Sequence, residues 1–226
     1  MSGLVRIPRQ KFLELGDSVK QRIYTDANPL VRWIFWKRLE GLLALASGLP
    51  TRRALDFGCG EGAFLPTLCA TFARVVGVDL DVRAAESIAK DYRLANLTLV
   101  RARAPQLPLA DGLFDLVVAA DVLEHLPELD SVVEGLERVL APGGRLVVSA
   151  PSENLLYEWG RKIFGFTKPE DHYHVPEDIE AALGRRLRLA GKRYLPVDLR
   201  EEVSAFVLLA FSKPPTEGMG HSESSE

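Results

Sequence analysis

Cysteine is nearly absent from this chain: two in 226 residues, Cys59 and Cys69. They show no metal-ligand spacing, exclude a disulfide scaffold and fit a reducing compartment. Neither sign of charge dominates, with 28 Lys and Arg against 31 Asp and Glu. A broad nucleic-acid-binding face is therefore not expected. No apolar run is long enough to span a bilayer. The N-terminus carries Arg6, Arg9 and Lys11 but no apolar segment of a secretory leader, so the cytoplasm is the expected compartment. Histidine is scarce too: His125, His172, His174 and His221. His221 falls in a tail, residues 213–226, whose Pro, Gly, Ser and Glu predict disorder. There is no internal repeat. The length suits one domain with short appendages.

What the sequence has is a glycine loop between two apolar runs. Ala54 to Phe57 has strand length and ends in Gly58-Cys59-Gly60-Glu61-Gly62. Phe64, Leu65, Leu68 and Phe72 follow at helical spacing, with Pro66 near the first turn, where a missing N–H costs little. A second apolar run, Arg74 to Val78, ends in Asp79. In a parallel βαβ unit the loop and the acid meet at the carboxyl edge of neighbouring strands. Glycine lets backbone turn tightly and approach a ligand closely. An acid in that place can accept from both hydroxyls of a ribose. The Gly-x-Gly-x-Gly spacing differs from the Gly-x-Gly-x-x-Gly of dinucleotide enzymes.

The strand–helix rhythm continues. Asp81 can cap a helix from Val82 to Tyr92, and Leu97 to Val100 reads as a third strand. Phe114 to Ala120 is almost wholly apolar, as a strand covered on both faces should be. A helix from Asp130 or Ser131 is expected to stop at Ala141-Pro142-Gly143-Gly144, before a fifth strand, Leu146 to Ser149. A helix from Pro176 to Leu189 and two strands, Arg193 to Val197 and Ser204 to Phe211, would close the domain as a hairpin. Residues 1–50 form an N-terminal helical lid segment. Their main helix, Asn28 to Leu45, places Arg32, Lys37, Arg38 and Glu40 opposite an apolar stripe flanked by Trp33 and Trp36. It packs on the sheet, or residues 30–45 form a basic amphipathic surface touching membrane. Residues 151–175 form an insert, rich in Leu155, Tyr157, Trp159, Phe164 and Phe166, that reads as an apolar cover for an acceptor.

The stretch from Arg53 to Asp79 closely resembles the cofactor-binding motif of S-adenosylmethionine-dependent methyltransferases of the Rossmann-like type, similar to the type 11 group. Leu107 to Val118, Asp121-Val122-Leu123-Glu124-His125-Leu126 and Leu136 to Gly144 resemble later segments of that family, in the same order. The resemblance runs from about Arg53 to Pro151. It implies an α/β Rossmann-like three-layer sandwich, with a seven-stranded, mostly parallel sheet and an antiparallel C-terminal strand, over residues 51–212. It implies S-adenosylmethionine as cofactor, held by Asp56, Gly58, Cys59, Gly60, Gly62, Asp79, Leu80 and Asp121. One departure is Arg103, where many relatives have an aspartate for the adenine amino group; guanidinium only donates. The backbone of Arg103 and Ala104, or stacking by Arg103, would serve instead.

The implied activity is methyl transfer to oxygen or carbon of a small-molecule or lipid-like acceptor. His125, His172 and His174 are the candidate bases. Asp121, Glu124 and His125 also have the spacing of metal ligands, but no further group that would complete a shell is evident, so no metal is expected. The rival readings are a non-catalytic S-adenosylmethionine-binding module and, against the glycine spacing, a nicotinamide-dependent oxidoreductase.

Overall fold

Among the described residues, seven segments form strands: β1 (Arg53–Phe57), β2 (Arg74–Asp79), β3 (Leu97–Arg101), β4 (Phe114–Ala120), β5 (Leu140–Pro151), β6 (Arg188–Leu195) and β7 (Phe206–Ser212). The computed structural model describes residues 3–16, 22–152, 172–196 and 204–215. The strands join one sheet in the order β3-β2-β1-β4-β5-β7-β6. β1 to β5 run parallel, while β7 is antiparallel to both β5 and β6. This is the mostly parallel seven-stranded sheet expected from the sequence. The helices are α1 (Arg9–Glu14), α2 (Pro29–Leu45), α3 (Leu65–Thr71), α4 (Arg83–Asp91), α5 (Leu129–Val139) and α6 (Pro176–Gly184).

Side chains of β7 alternate between the two faces of the sheet, as the pleat requires. Phe206, Leu208 and Ala210 join Trp36, Leu39, Leu42, Leu65, Leu68 and Ile88 on one face. Val207, Leu209 and Phe211 join Val132, Val133, Leu136, Ile179 and Leu183 on the other. Both faces are therefore covered, which explains the apolar runs. The α2 helix starts where the Asn28 side chain accepts from Leu30 N–H at 2.9 Å and lies against β5, β6 and β7. Gly41 permits that approach, since a Cβ there would stand 2.3 Å from a Leu208 methyl.

Three expectations change. The α2 helix is not a simple stripe: Trp36 and Arg38 are buried, whereas Leu30 and Trp33 are exposed. Arg38 thus lies inside, because residues 3–16 and Tyr24 cover that side of the helix with Phe12, which stacks on Tyr24 at 4.9 Å. The Ala141-Pro142-Gly143-Gly144 turn belongs to β5, which begins at Leu140. A register shift opposite Phe114 and Leu116 absorbs the extra residues. Finally, α6 stops at Gly184, and β6 occupies Arg188 to Leu195, where pairing with β7 outweighs the helical spacing read across Leu187 and Leu189. The apolar insert expected as a cover lies mostly outside the described residues, as does nearly all of the tail.

Candidate functional site

The carboxyl ends of β1, β2 and β4 open into a cleft of about 500 Å³. Its floor is the glycine loop. Gly58 and Cys59 both donate to Val78 O, at 2.8 and 3.0 Å, which folds the loop back over the end of β2. Gly58 has φ +74°, and a Cβ there would meet Val122 at 2.3 Å. Gly60 has φ +49°, but nothing stands within 4 Å of its missing Cβ, so its bare face fronts open space.

Asp79 stands beside this loop. Its Oδ2 accepts from Gly60 N–H at 2.8 Å and its Oδ1 from Asp81 N–H at 3.1 Å. A carboxylate oxygen has a second lone pair, so both remain able to accept from a bound molecule. Asp56 lies deeper, 3% exposed. Burial, then the negative charge of Asp79, pushes its carboxyl up to about 7, against the opposing pull of Arg38. Cys59 is buried too, and its thiol is pushed far above the ordinary range by burial and the neighbouring carboxylates. It packs under the loop as an apolar group and is no nucleophile. Leu80, 49% exposed, lines the cleft with Arg103, Ala104 and Pro105.

The other end is built around Asp121. Its φ is +55°, a left-handed conformation that an aspartate holds only when its surroundings enforce it. Here they do. Ser149 Oγ donates to Oδ1 at 2.6 Å, and Arg38 Nη1 donates to Oδ2. Arg38 Nη2 reaches Tyr24 Oη at 3.2 Å. Arg38 is 4% exposed, and its guanidinium also stands 5.2 Å from the Phe35 ring centroid. Its Nε–H is buried with no hydrogen-bond partner among the described residues. Sequence reasoning assigned this arginine to solvent. Two cations, Lys37 and Arg38, stand inside the run Trp36 to Leu43, and the sequence does not show which of them turns inward.

The three histidines sit close together but not alike. His125 follows β4 in a 3₁₀ turn, Leu123–His125, and lines the cleft. His172 stands against it, ring centroids 4.6 Å apart and edge to face. Tyr173 N–H donates to Glu124 O at 2.8 Å, which ties the chain after residue 171 to that turn. The His174 Nε2 sits 3.1 Å from Leu126 O, and this residue lines a separate shallow groove with Pro127, Asp130 and Arg185.

Residues 55–148 match the methyltransferase-domain family. A ubiquinone biosynthesis O-methyltransferase of Bordetella avium is 36% identical over 121 residues, 52% of this chain and 50% of that protein. A probable S-adenosylmethionine-dependent methyltransferase of Mycolicibacterium smegmatis is 31% identical over 159 residues, 70% of this chain and 59% of the other. The chain spans about half the length of the first of these curated relatives. Among solved structures, the N-methyltransferase NodS from Bradyrhizobium japonicum superposes with a TM-score of 0.64 at 25% identity, covering 84% of this chain and 99% of that one. The [4+2]-cyclase SpnF shares the fold, with a TM-score of 0.67 at 15% identity over 95% of this chain and 100% of its own. The order of the strands, the glycine loop against β2 and the match over residues 55–148 agree: residues 55–148 are a methyltransferase domain on a Rossmann-like sheet.

Proposed function

We propose that this protein binds S-adenosylmethionine in the cleft and transfers its methyl group to a hydroxyl oxygen of a small, partly apolar acceptor. The observation that carries the reading is Asp79, oriented by two backbone N–H groups with both oxygens still able to accept. A ribose diol presents two donors at that spacing. The residues present also fit the cofactor's amino-acid end. The buried Arg38 Nε–H lacks a hydrogen-bond partner among the described residues, and the guanidinium lines the cleft beside Gly58 and Gly60. A carboxylate would supply that partner, and Glu61 and Asp56 offer acceptors for an ammonium group nearby. Leu80 and the backbone at Arg103 and Ala104 line the side left for adenine.

When bound, the cofactor supplies an electrophilic methyl on sulfonium. The chain's own work is placement and exclusion of water, which account for much of the rate in such a displacement. Arg38 and Asp121 close the amino-acid end, and Val122 and Leu126 line the cleft beside it with apolar surface. His125 lies at the edge where an acceptor hydroxyl must lose its proton. The choice of oxygen rests on the printed activity of the Bordetella relative, an O-methyltransferase. SpnF, a cyclase of the same fold, shows that fold alone does not fix the reaction.

Purified protein is to be incubated with S-adenosylmethionine and a panel of catechol, phenol and amine acceptors, and S-adenosylhomocysteine measured by mass spectrometry. Release with hydroxyl acceptors is expected. Cofactor binding without release on any acceptor would instead establish a binding module, and release on amines alone would move the transfer to nitrogen.

A further inference from the structure

The turn after β4 and the chain entering α6 bring Glu124, His125 and His172 together. Their ligand atoms, one from each side chain, all lie within 4.8 Å of one another. We propose that these three residues hold one divalent first-row transition ion at the acceptor end of the cleft. The reading of the cleft as a methyl-transfer site gives this ion its role, but its binding is independent of that reading.

By spacing alone the candidate ligands were Asp121, Glu124 and His125, and no metal was expected from them. The structure groups them differently: Asp121 pairs with Arg38 and Ser149 and stands outside the cluster of ligand atoms. It supplies His172 instead, from a segment distant in sequence. Two bonds position that segment. Tyr173 N–H is held by Glu124 O at 2.8 Å, and the His174 ring by Leu126 O at 3.1 Å. His172 therefore meets His125 edge to face at 4.6 Å, two imidazoles side by side next to a carboxylate 1% exposed.

The donor set selects the ion class. Two imidazoles and one carboxylate suit zinc, iron, cobalt or manganese, and are too nitrogen-rich for magnesium or calcium. Ligands about 2.1 Å from one ion stand at most about 4.2 Å apart, so small side-chain rotations close the set. Three protein ligands leave coordination positions open. Because His125 lines the cleft, an ion held by it would border the space open to an acceptor hydroxyl. An oxygen bound there becomes more acidic, which prepares it as a nucleophile.

The test uses untagged protein stripped with a chelator, desalted, and titrated with Co²⁺ followed by its visible absorption. One equivalent is expected, with binding weakened at least tenfold in His125→Ala and His172→Ala and kept within twofold in His221→Ala. Circular dichroism checks that each variant is folded. A measurement on wild type alone covers variants that do not fold: diamagnetic Zn²⁺ should shift the imidazole NMR signals of two histidines most and leave that of His221 in place. Absence of binding, a cobalt band retained in both variants, or shifts confined to the other histidines would overturn the proposal. S-adenosylhomocysteine binding, measured on the same stripped protein, separates the two claims. If it binds and cobalt does not, the ion site falls and the cofactor reading stands; the reverse result leaves the ion site without the role assigned here.

Discussion

Replacing Arg38 by methionine tests the amino-acid end of the cleft. The side chain keeps much of its length and loses its charge and donors. Two consequences follow from the geometry. Asp121 loses its cation and keeps only the Ser149 hydroxyl at 2.6 Å, so the protein should be destabilised by about 3–5 kcal/mol, the usual cost of breaking a buried pair from one side. If Arg38 also meets the cofactor's carboxylate, binding loses a charge-assisted hydrogen bond of about 1.5–3 kcal/mol, roughly ten- to one-hundred-fold in affinity. Ligand choice separates the two. S-adenosylhomocysteine carries the amino-acid end, whereas 5′-methylthioadenosine lacks it. Calorimetry well below the melting transition should show the full loss for the first ligand and a change within twofold for the second. Arg38→Lys should fall between, since a lysine restores charge but not the fork. Equal losses for both ligands would mean that the substitution deforms the whole cleft. Unchanged binding of both would remove Arg38 from the site.

Phe12→Ala removes a ring that is 1% exposed and stacked on Tyr24 at 4.9 Å; a cost of about 3–5 kcal/mol should lower Tm by on the order of 10 °C in differential scanning fluorimetry. A negligible shift would show that the N-terminal segment does not pack as described. Asp56 gives a pH test. Its carboxyl is raised to about 7, first by burial and then by Asp79, so between its unfolded value near 4 and about 7 the folded chain holds a proton that the unfolded chain has released. Stability should therefore fall as pH rises through that window. Asp56→Asn should flatten the wild-type drop in Tm between pH 5 and 8, and identical slopes would refute a raised Asp56.

The parts of the site made by neighbouring segments were legible in the sequence. The glycine loop and Asp79 lie on either side of a single helix, and the parallel pairing of β1 with β2 brings them together by itself. The apolar run of β4 signalled a covered strand for the same local reason. Arg38 was not legible, because α2 is covered both by the sheet and by Phe12 and Tyr24, so its period alone could not show which polar residue turns inward. Nor was the grouping of His172 with Glu124, which depends on bonds from Tyr173 and His174 to a turn distant in sequence. The first half of β5 was misread because Pro142 and Gly143 punctuate a sequence locally, whereas pairing of Leu140 with Phe114 keeps it in the sheet.

The most direct measurement is calorimetry of S-adenosylhomocysteine with wild-type protein and Asp79→Ala, alongside NADH. One site is expected in wild type, weakened by at least ~1.5 kcal/mol in the folded variant because a charged acceptor loses two ribose hydroxyls, and no binding of NADH. Unchanged affinity in Asp79→Ala, or micromolar binding of NADH, would contradict the cofactor site described above.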